Sequence, residues 1–351
     1  MRTTPFRSLA SASSLAAALL AGACNNDSTS PNPTPVTASF SVDAAAAFAY
    51  VDLGTPAQTV VVADPPASAA WDIGFYATTV TLNGGAAGPG GVEGFCLCQN
   101  ASATNADLQA MTADNQLAAF ESVSAADIPA TASFETDQLA PSISGWYSAA
   151  GPGATAVASR AWIVREGSAS VVLAKFQVTS IQNATSSTAG SVTFEYAVQA
   201  SAGAAFGATA SRTVDLSSGP VYFDLTTGAV TNSSDWDLKF EGWNIRVNGG
   251  VSGGGSVRAV LDATTPFATI DAAYAASAPA QAFSADSYGG VFAANRWYRY
   301  NITGTDNQIW PTFSVYLVRR GTEVFKVQLV GYYAADGTPR QITVRYAKLT
   351  N

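Results

Sequence analysis

The feature that most constrains this chain is a long internal repeat. Ala49-Tyr50-Val51-Asp52-Leu53, Trp71-Asp72-Ile73-Gly74-Phe75 and Val80-Thr81-Leu82-Asn83-Gly84-Gly85 recur in order. Their counterparts are Val221-Tyr222-Phe223-Asp224-Leu225, Trp236-Asp237-Leu238-Lys239-Phe240 and Ile245-Arg246-Val247-Asn248-Gly249-Gly250. Both copies then enter a glycine-rich stretch, 86–91 and 251–255. The later halves correspond as well. Trp146-Tyr147 matches Trp297-Tyr298, Trp162 to Gly167 matches Tyr316 to Gly321, Lys175 to Val178 matches Lys326 to Leu329, and Ser191 to Tyr196 matches Gln341 to Tyr346. The copies are less far apart after the glycine stretches than before them, so the middle of the first copy is longer. Units of this length describe a tandem pair. They exclude a solenoid, and they exclude a propeller despite the two Trp-Asp pairs, because the units of both architectures are far shorter.

Within each unit the local pattern is that of strands. Phe176 and Val178 alternate with Gln177 and Thr179, Val324 to Leu329 alternates likewise, and Thr, Val and Tyr dominate these runs. Asn83-Gly84-Gly85 and Asn248-Gly249-Gly250 are turn signals. Between Leu108 and Phe120 the apolar spacing is helical. The expected fold is all-β, mostly antiparallel, with few short helices and two tandem domains at 39–199 and 213–351. The Ala/Gly/Ser-rich stretch 200–212 is the expected linker between them.

Arg2, Arg7 and the apolar run Leu9 to Ala23 have the form of a signal peptide over 1–23, too short to span a bilayer as a mature helix. Leu20-Ala21-Gly22-Ala23-Cys24 resembles a bacterial lipobox, so Cys24 is the expected lipidated residue. Ordinary secretory cleavage after Ala23 is the competing reading. The polar, Pro/Ser/Thr/Asn-rich stretch that follows reads as a tether over 24–38. These signals predict export and attachment, through the lipid alone, to the outer membrane or cell surface of a Gram-negative bacterium, or release from it. With 17 basic against 25 acidic residues the chain carries a net charge of −8, which disfavours nucleic acid as a partner.

Trp71 and Trp236, beside Phe75 and Phe240, are expected in the core. Asp72 and Asp237 should point away from them, with Arg165 and Arg319 as available partners. The glycine stretches have no Lys-Ser or Lys-Thr to close a phosphate loop; a hairpin or a close backbone approach is expected there. The pair Cys96 and Cys98 leaves three readings open. These are a disulfide at an unfavourable spacing, a metal site completed by ligands from elsewhere, or two small, partly buried residues. No histidine is present, which removes Ser-His-Asp and Cys-His catalysis and histidine-based zinc sites. No motif singles out a carboxylate pair among Asp72, Glu93 and Glu166, so no enzyme is expected. Tyr76, Trp243 and Trp310, if exposed, would suit a glycan- or protein-binding surface module.

Taken together, Tyr-x-Asp-Leu, Trp-Asp-hydrophobic-x-Phe, Asn-Gly-Gly with its glycine tail, Trp-Tyr, and the later strands with Lys175 or Lys326 resemble the HmuY family. The likeness runs through both units. It implies an all-β domain with a haem cleft, and a surface lipoprotein that takes haem from a haem-carrying protein and passes it to an outer-membrane receptor. The best-known members hold the iron between two histidines, which this chain cannot do. Methionine ligation, known in relatives, leaves Met111 after leader removal, and thiolate or tyrosinate are the other ligand types. The candidates in copy one are therefore Met111, Cys96 and Cys98, all between the Asn-Gly-Gly turn and Trp146. The same region of copy two offers Tyr274 and Tyr288 and no sulfur.

Overall fold

A computed structural model describes residues 37–167, 170–232 and 234–349. The expected leader, Cys24 and the tether up to residue 36 lie outside the described residues. The fold is all-β and mostly antiparallel, and the four helices among the described residues are short. None of them is long and apolar enough to cross a membrane. The helical spacing between Leu108 and Phe120 resolves into two separate turns of helix, Asn105–Ala110 and Leu117–Ser122.

Each copy builds a four-stranded sheet from its own early half. In copy one the order is Gln58–Val60, Ala49–Asp52, Ile73–Tyr76, Thr79–Leu82; in copy two it is Ala229–Val230, Val221–Asp224, Leu238–Glu241, Asn244–Val247. The two five-stranded sheets are built differently. One runs Ala38–Asp43, Pro339–Leu349, Glu323–Tyr333, Val315–Arg320, Val92–Cys96. It therefore joins the early half of copy one to the later half of copy two. The other runs Ala210–Asp215, Ser191–Val198, Val172–Gln182, Ala161–Glu166, Arg258–Asp262, joining the later half of copy one to the early half of copy two.

The sheets thus define two composite lobes, and the expected sequential division at 39–199 and 213–351 does not describe how the strands pair. The stretch taken as a linker connects two neighbouring strands of one sheet, Ser191–Val198 and Ala210–Asp215.

The cores follow the sheets. In the first lobe Val42, Val51, Ile73, Phe75 and Leu82 pack with Tyr316, Phe325, Val327, Ile342 and Val344 from the other copy. In the second, Trp162, Phe176 and Phe194 pack with Phe223, Leu238, Phe240 and Val247. Along Ser191–Val198 the alternate residues Val192, Phe194 and Tyr196 turn inward, which is the period-two pattern read from the sequence. Each fully buried aromatic contributes about 1.5–3 kcal/mol relative to exposure, so neither lobe's core is complete without both copies.

The chain changes lobes at a two-stranded ribbon, Gln138–Ala140 paired antiparallel with Ser287–Gly289, with Leu139 opposite Tyr288. Asp137 and Asp286 precede its strands at corresponding places. Asp137 accepts from the Leu82 backbone N–H at 2.9 Å, and Asp286 accepts from Val247 at 3.1 Å and Ser142 at 2.8 Å. The second glycine of each Asn-Gly-Gly turn meets this ribbon. Gly85 has φ +61° and a Cβ there would lie 2.2 Å from the Asp137 carbonyl; Gly250 has φ +65° and its Cβ would lie 2.0 Å from that of Asp286. Glycine is required at both, because conformation and space each exclude a side chain.

The asparagine of each turn is a buried clamp. Asn83 Nδ2 donates to the Trp71 and Ser68 carbonyls, and its Oδ1 accepts from Gly90; Asn248 does the same with Trp236, Ser234 and Gly255. Removing such a clamp strands buried polar groups. Asn83→Ala should cost about 2–4 kcal/mol in urea unfolding. The lobe composition makes a second prediction. Cutting a protease site inserted within 200–209 should leave both fragments together in native size-exclusion chromatography, at the elution volume of the uncut chain. Two sequential domains would separate.

Candidate functional site

A cleft of about 1450 Å³ opens in the first lobe. One wall is the stretch Cys98 to Asn105 of copy one; the other is Ala293 to Ile302, with Ile309 to Tyr316, of copy two. In copy one, residues 97–119 separate the edge strand from the turn capped by Lys326. In copy two, residues 263–266 suffice before the turn capped by Lys175. The extra length read in copy one is therefore the segment that supplies a cleft wall.

Amide side chains lace the walls together. Asn100 Nδ2 donates to the Thr312 carbonyl at 2.8 Å, Asn105 Nδ2 to that of Ile302 at 3.1 Å, and Gln99 Oε1 accepts from the Val315 N–H at 3.0 Å. Arg299 reaches across to Asn105 Oδ1 at 3.3 Å. Tyr316 forms part of the buried lining, stacked on Phe292 and donating to the Asn295 carbonyl; burial pushes its phenol well above the usual range, so it is neutral. Cys98 (φ +51°), Asn301 (φ +53°) and Phe313 (φ +52°), in or beside the cleft wall, hold left-handed backbone. Such conformations persist only where the surroundings enforce them. The buried Gln328 does so for Phe313, donating to its carbonyl while accepting from Arg345, which in turn donates to the Ala113 carbonyl.

The electrostatics of the cleft are set by Arg296 and Arg299. No aspartate or glutamate lines it, although the chain as a whole is acidic. Arg296 is exposed and makes no hydrogen bond or ion pair among the described residues. The hydroxyl of Thr312, a residue only 8% exposed, has no hydrogen-bond partner among the described residues.

The three sulfur candidates are distributed around this cleft. Cys98 lines it, but its sulfur is bonded to that of Cys96, with Cα atoms 5.0 Å apart. A left-handed turn at Cys98 accompanies this disulfide, the first of the three arrangements open to the pair. While it is closed neither sulfur is a thiolate. Met111 lines an adjoining groove of about 400 Å³ that shares Asn100 with the cleft. In copy two Tyr274 instead donates to Asp262 at 2.7 Å, and Tyr288 lies in the crossing ribbon. The arginines, Thr312 and the amide lacing were missed by sequence reasoning; the length difference between the copies was the one signal that marked the region.

Other expectations divide. Trp71 and Trp236 are core residues, 2% and 9% exposed. Asp72 is paired with Arg320, at 2.8 Å, instead of Arg319, which pairs with Glu93; Arg165 lies over the Phe283 ring. Of the aromatics considered for glycan stacking only Tyr76 is exposed. Trp243 is half-buried against Trp146 and Tyr147, and Trp310 is half-buried and donates to Asp306.

A pocket of the second lobe, about 650 Å³, lies elsewhere, between Tyr222, Trp236 and the glycine stretch 252–257. At the position of Thr78, which lines the cleft in the first lobe, the second carries Trp243, with ring centroids 4.8 Å from Tyr147 and 6.3 Å from Trp146. Glu166 likewise stands where Arg320 stands in the first lobe. Burial pushes Asp237 up to about 7, and Glu166 and Asp224 add to the rise. The fold therefore favours neutral Asp237, so its contribution falls as pH rises from the ordinary carboxylate range to about 7. Asp237→Asn should be more stable than the wild type by about 1–3 kcal/mol at pH 8, an advantage that fades as the pH approaches about 4 in thermal melts across that range.

The HmuY protein family matches residues 44–196 and 218–346. Two solved structures are similar. One, from Bacteroides vulgatus, is described as an HmuY-like heme-binding protein; it is 14% identical, with 44% of this chain and 90% of that chain covered and a TM-score of 0.17. The other, described as a lipoprotein of Bacteroides fragilis, is 16% identical, with 44% and 88% covered and a TM-score of 0.16. No curated protein matches this chain. With both copies matched over most of its length, the chain belongs to the HmuY family.

Proposed function

We propose that this protein is an exported carrier, anchored through a lipid on Cys24, that holds a haem-class tetrapyrrole in the first-lobe cleft and delivers it to an outer-membrane receptor. The observation that carries the reading is the cleft itself: about 1450 Å³, with two arginines and no carboxylate in an acidic chain of a haem-carrier family. Arg296 and Arg299 suit the acid groups of such a ligand, and the tyrosines of the wall suit its ring face. Histidine ligation of the iron is excluded by composition. Cys96 and Cys98 could ligate only after reduction, and Met111 only from the adjoining groove. The residues present therefore fit the porphyrin better than they fit its metal. Binding and transfer, without bond-making at the ligand, are what this cleft is equipped for.

The test is a haem titration of the chain lacking residues 1–24, followed by absorption and run with and without a thiol reductant. A saturable Soret shift near one haem per chain is expected, weakened about tenfold or more in Arg296→Gln/Arg299→Gln. A thiolate-type spectrum appearing only under reductant would bring Cys96 or Cys98 to the iron. No shift above that of a non-binding control protein would remove the reading.

A further inference from the structure

The cleft offers cations, ring faces and an unpaired hydroxyl in place of the family's iron ligands. Resting on the tetrapyrrole reading above, we propose that the site recognises its ligand by acid groups and ring, with Arg296, Arg299 and Thr312 as its polar anchors, and that a bound metal is not required. The ligand class is then a planar tetrapyrrole dicarboxylate, with or without iron.

Three independent observations support this. Arg296 is unpaired among the described residues, and Arg299 is held only by neutral oxygens, so each retains its charge for an anion. Thr312 Oγ1 is buried without a partner among the described residues, and an unpaired buried hydroxyl costs about 1–3 kcal/mol that a polar ligand atom would offset. The potential metal donors are largely committed. Cys98 is tied to Cys96, Tyr316 donates to a buried carbonyl and Tyr300 donates to Asn307. Of the phenols on the wall, Tyr298 alone has no hydrogen bond among the described residues.

The experiment compares haem, metal-free protoporphyrin IX and the dimethyl ester of protoporphyrin IX on the chain lacking residues 1–24, by absorption and porphyrin fluorescence. Haem and the free acid should bind with dissociation constants within about fivefold of each other, and the ester at least about tenfold more weakly. Arg296→Gln and Arg299→Gln should weaken haem and free acid alike. Thr312→Val should also weaken binding while leaving the apoprotein's melting temperature equal or higher, which separates a ligand contact from a folding defect. Strong haem binding with a free acid that fails to bind, or an ester that binds equally well, overturns this inference and leaves the tetrapyrrole reading standing. A tight haem site lost in Tyr298→Phe would do the same by placing a phenolate on the iron. Failure of all three ligands overturns the proposed function and this inference with it.

Discussion

Two buried lysines hold the architecture together, and each donates its hydrogen bonds to the other copy. Lys326, in the later half of copy two, donates to the carbonyls of Phe120, Glu121 and Val123 in copy one and lies 4.6 Å from the Phe120 ring centroid. Lys175, in the later half of copy one, donates to the carbonyls of Phe267 and Ile270 in copy two, 4.5 Å from the Phe267 ring. Burial lowers both ammonium pKa values, so the carbonyls and ring faces are what make a charge tolerable there. An ammonium in such a cradle cannot be left without its partners. It therefore fixes where each later half must sit, and the sheets, the crossing ribbon and both cores agree with that placement.

The sequence showed the parts of this arrangement better than their pairing. Strands were legible because their inward residues alternate, and Trp71, Trp236, Phe75 and Phe240 were legible as core because nothing else suits large rings in strand patterns. The close approach at the glycine stretches was readable from composition, although the clamps of Asn83 and Asn248 were not. Which later half joins which early half was not legible, for a physical reason. The two copies carry nearly the same edges, lysines and inward faces, so a repeat pattern is satisfied equally by pairing within a copy or between copies. The partner of Asp72 was misplaced for a related reason. Arg319 and Arg320 are adjacent, and their one-residue difference decides which sheet face each occupies.

The site was less legible than the fold because it lies where the copies differ. Periodicity describes what repeats, whereas the cleft wall is an insertion with no counterpart in copy two. Its sulfurs drew attention as ligand types, yet in the structure Cys98 closes a tight turn with Cys96 and Met111 faces a different groove. Arg296 and Arg299 stand out only once the lining is assembled, since two arginines in a sequence of this length carry no signal by themselves.

The two lobes differ by an insertion and a handful of substitutions on one scaffold. In the second, Trp243 packs against the Trp146-Tyr147 pair, and Glu166 and Asp237 are left as crowded carboxylates beside Asp224. In the first, Thr78 leaves that space open, and the carbonyl of the same residue accepts from Trp297 Nε1 at 2.9 Å. Arg320 there gathers Asp52, Asp72 and Glu323 into a compensated ion network. Gln328 and Arg345 support the strained turn at Phe313, whereas the corresponding Gln177 and Glu195 of the second lobe hydrogen-bond each other. Because the first lobe draws on both copies, its cleft is a property of the whole chain: copy one supplies the inserted wall and copy two the arginines. Losing either half would remove the cleft as surely as it would remove the core behind it.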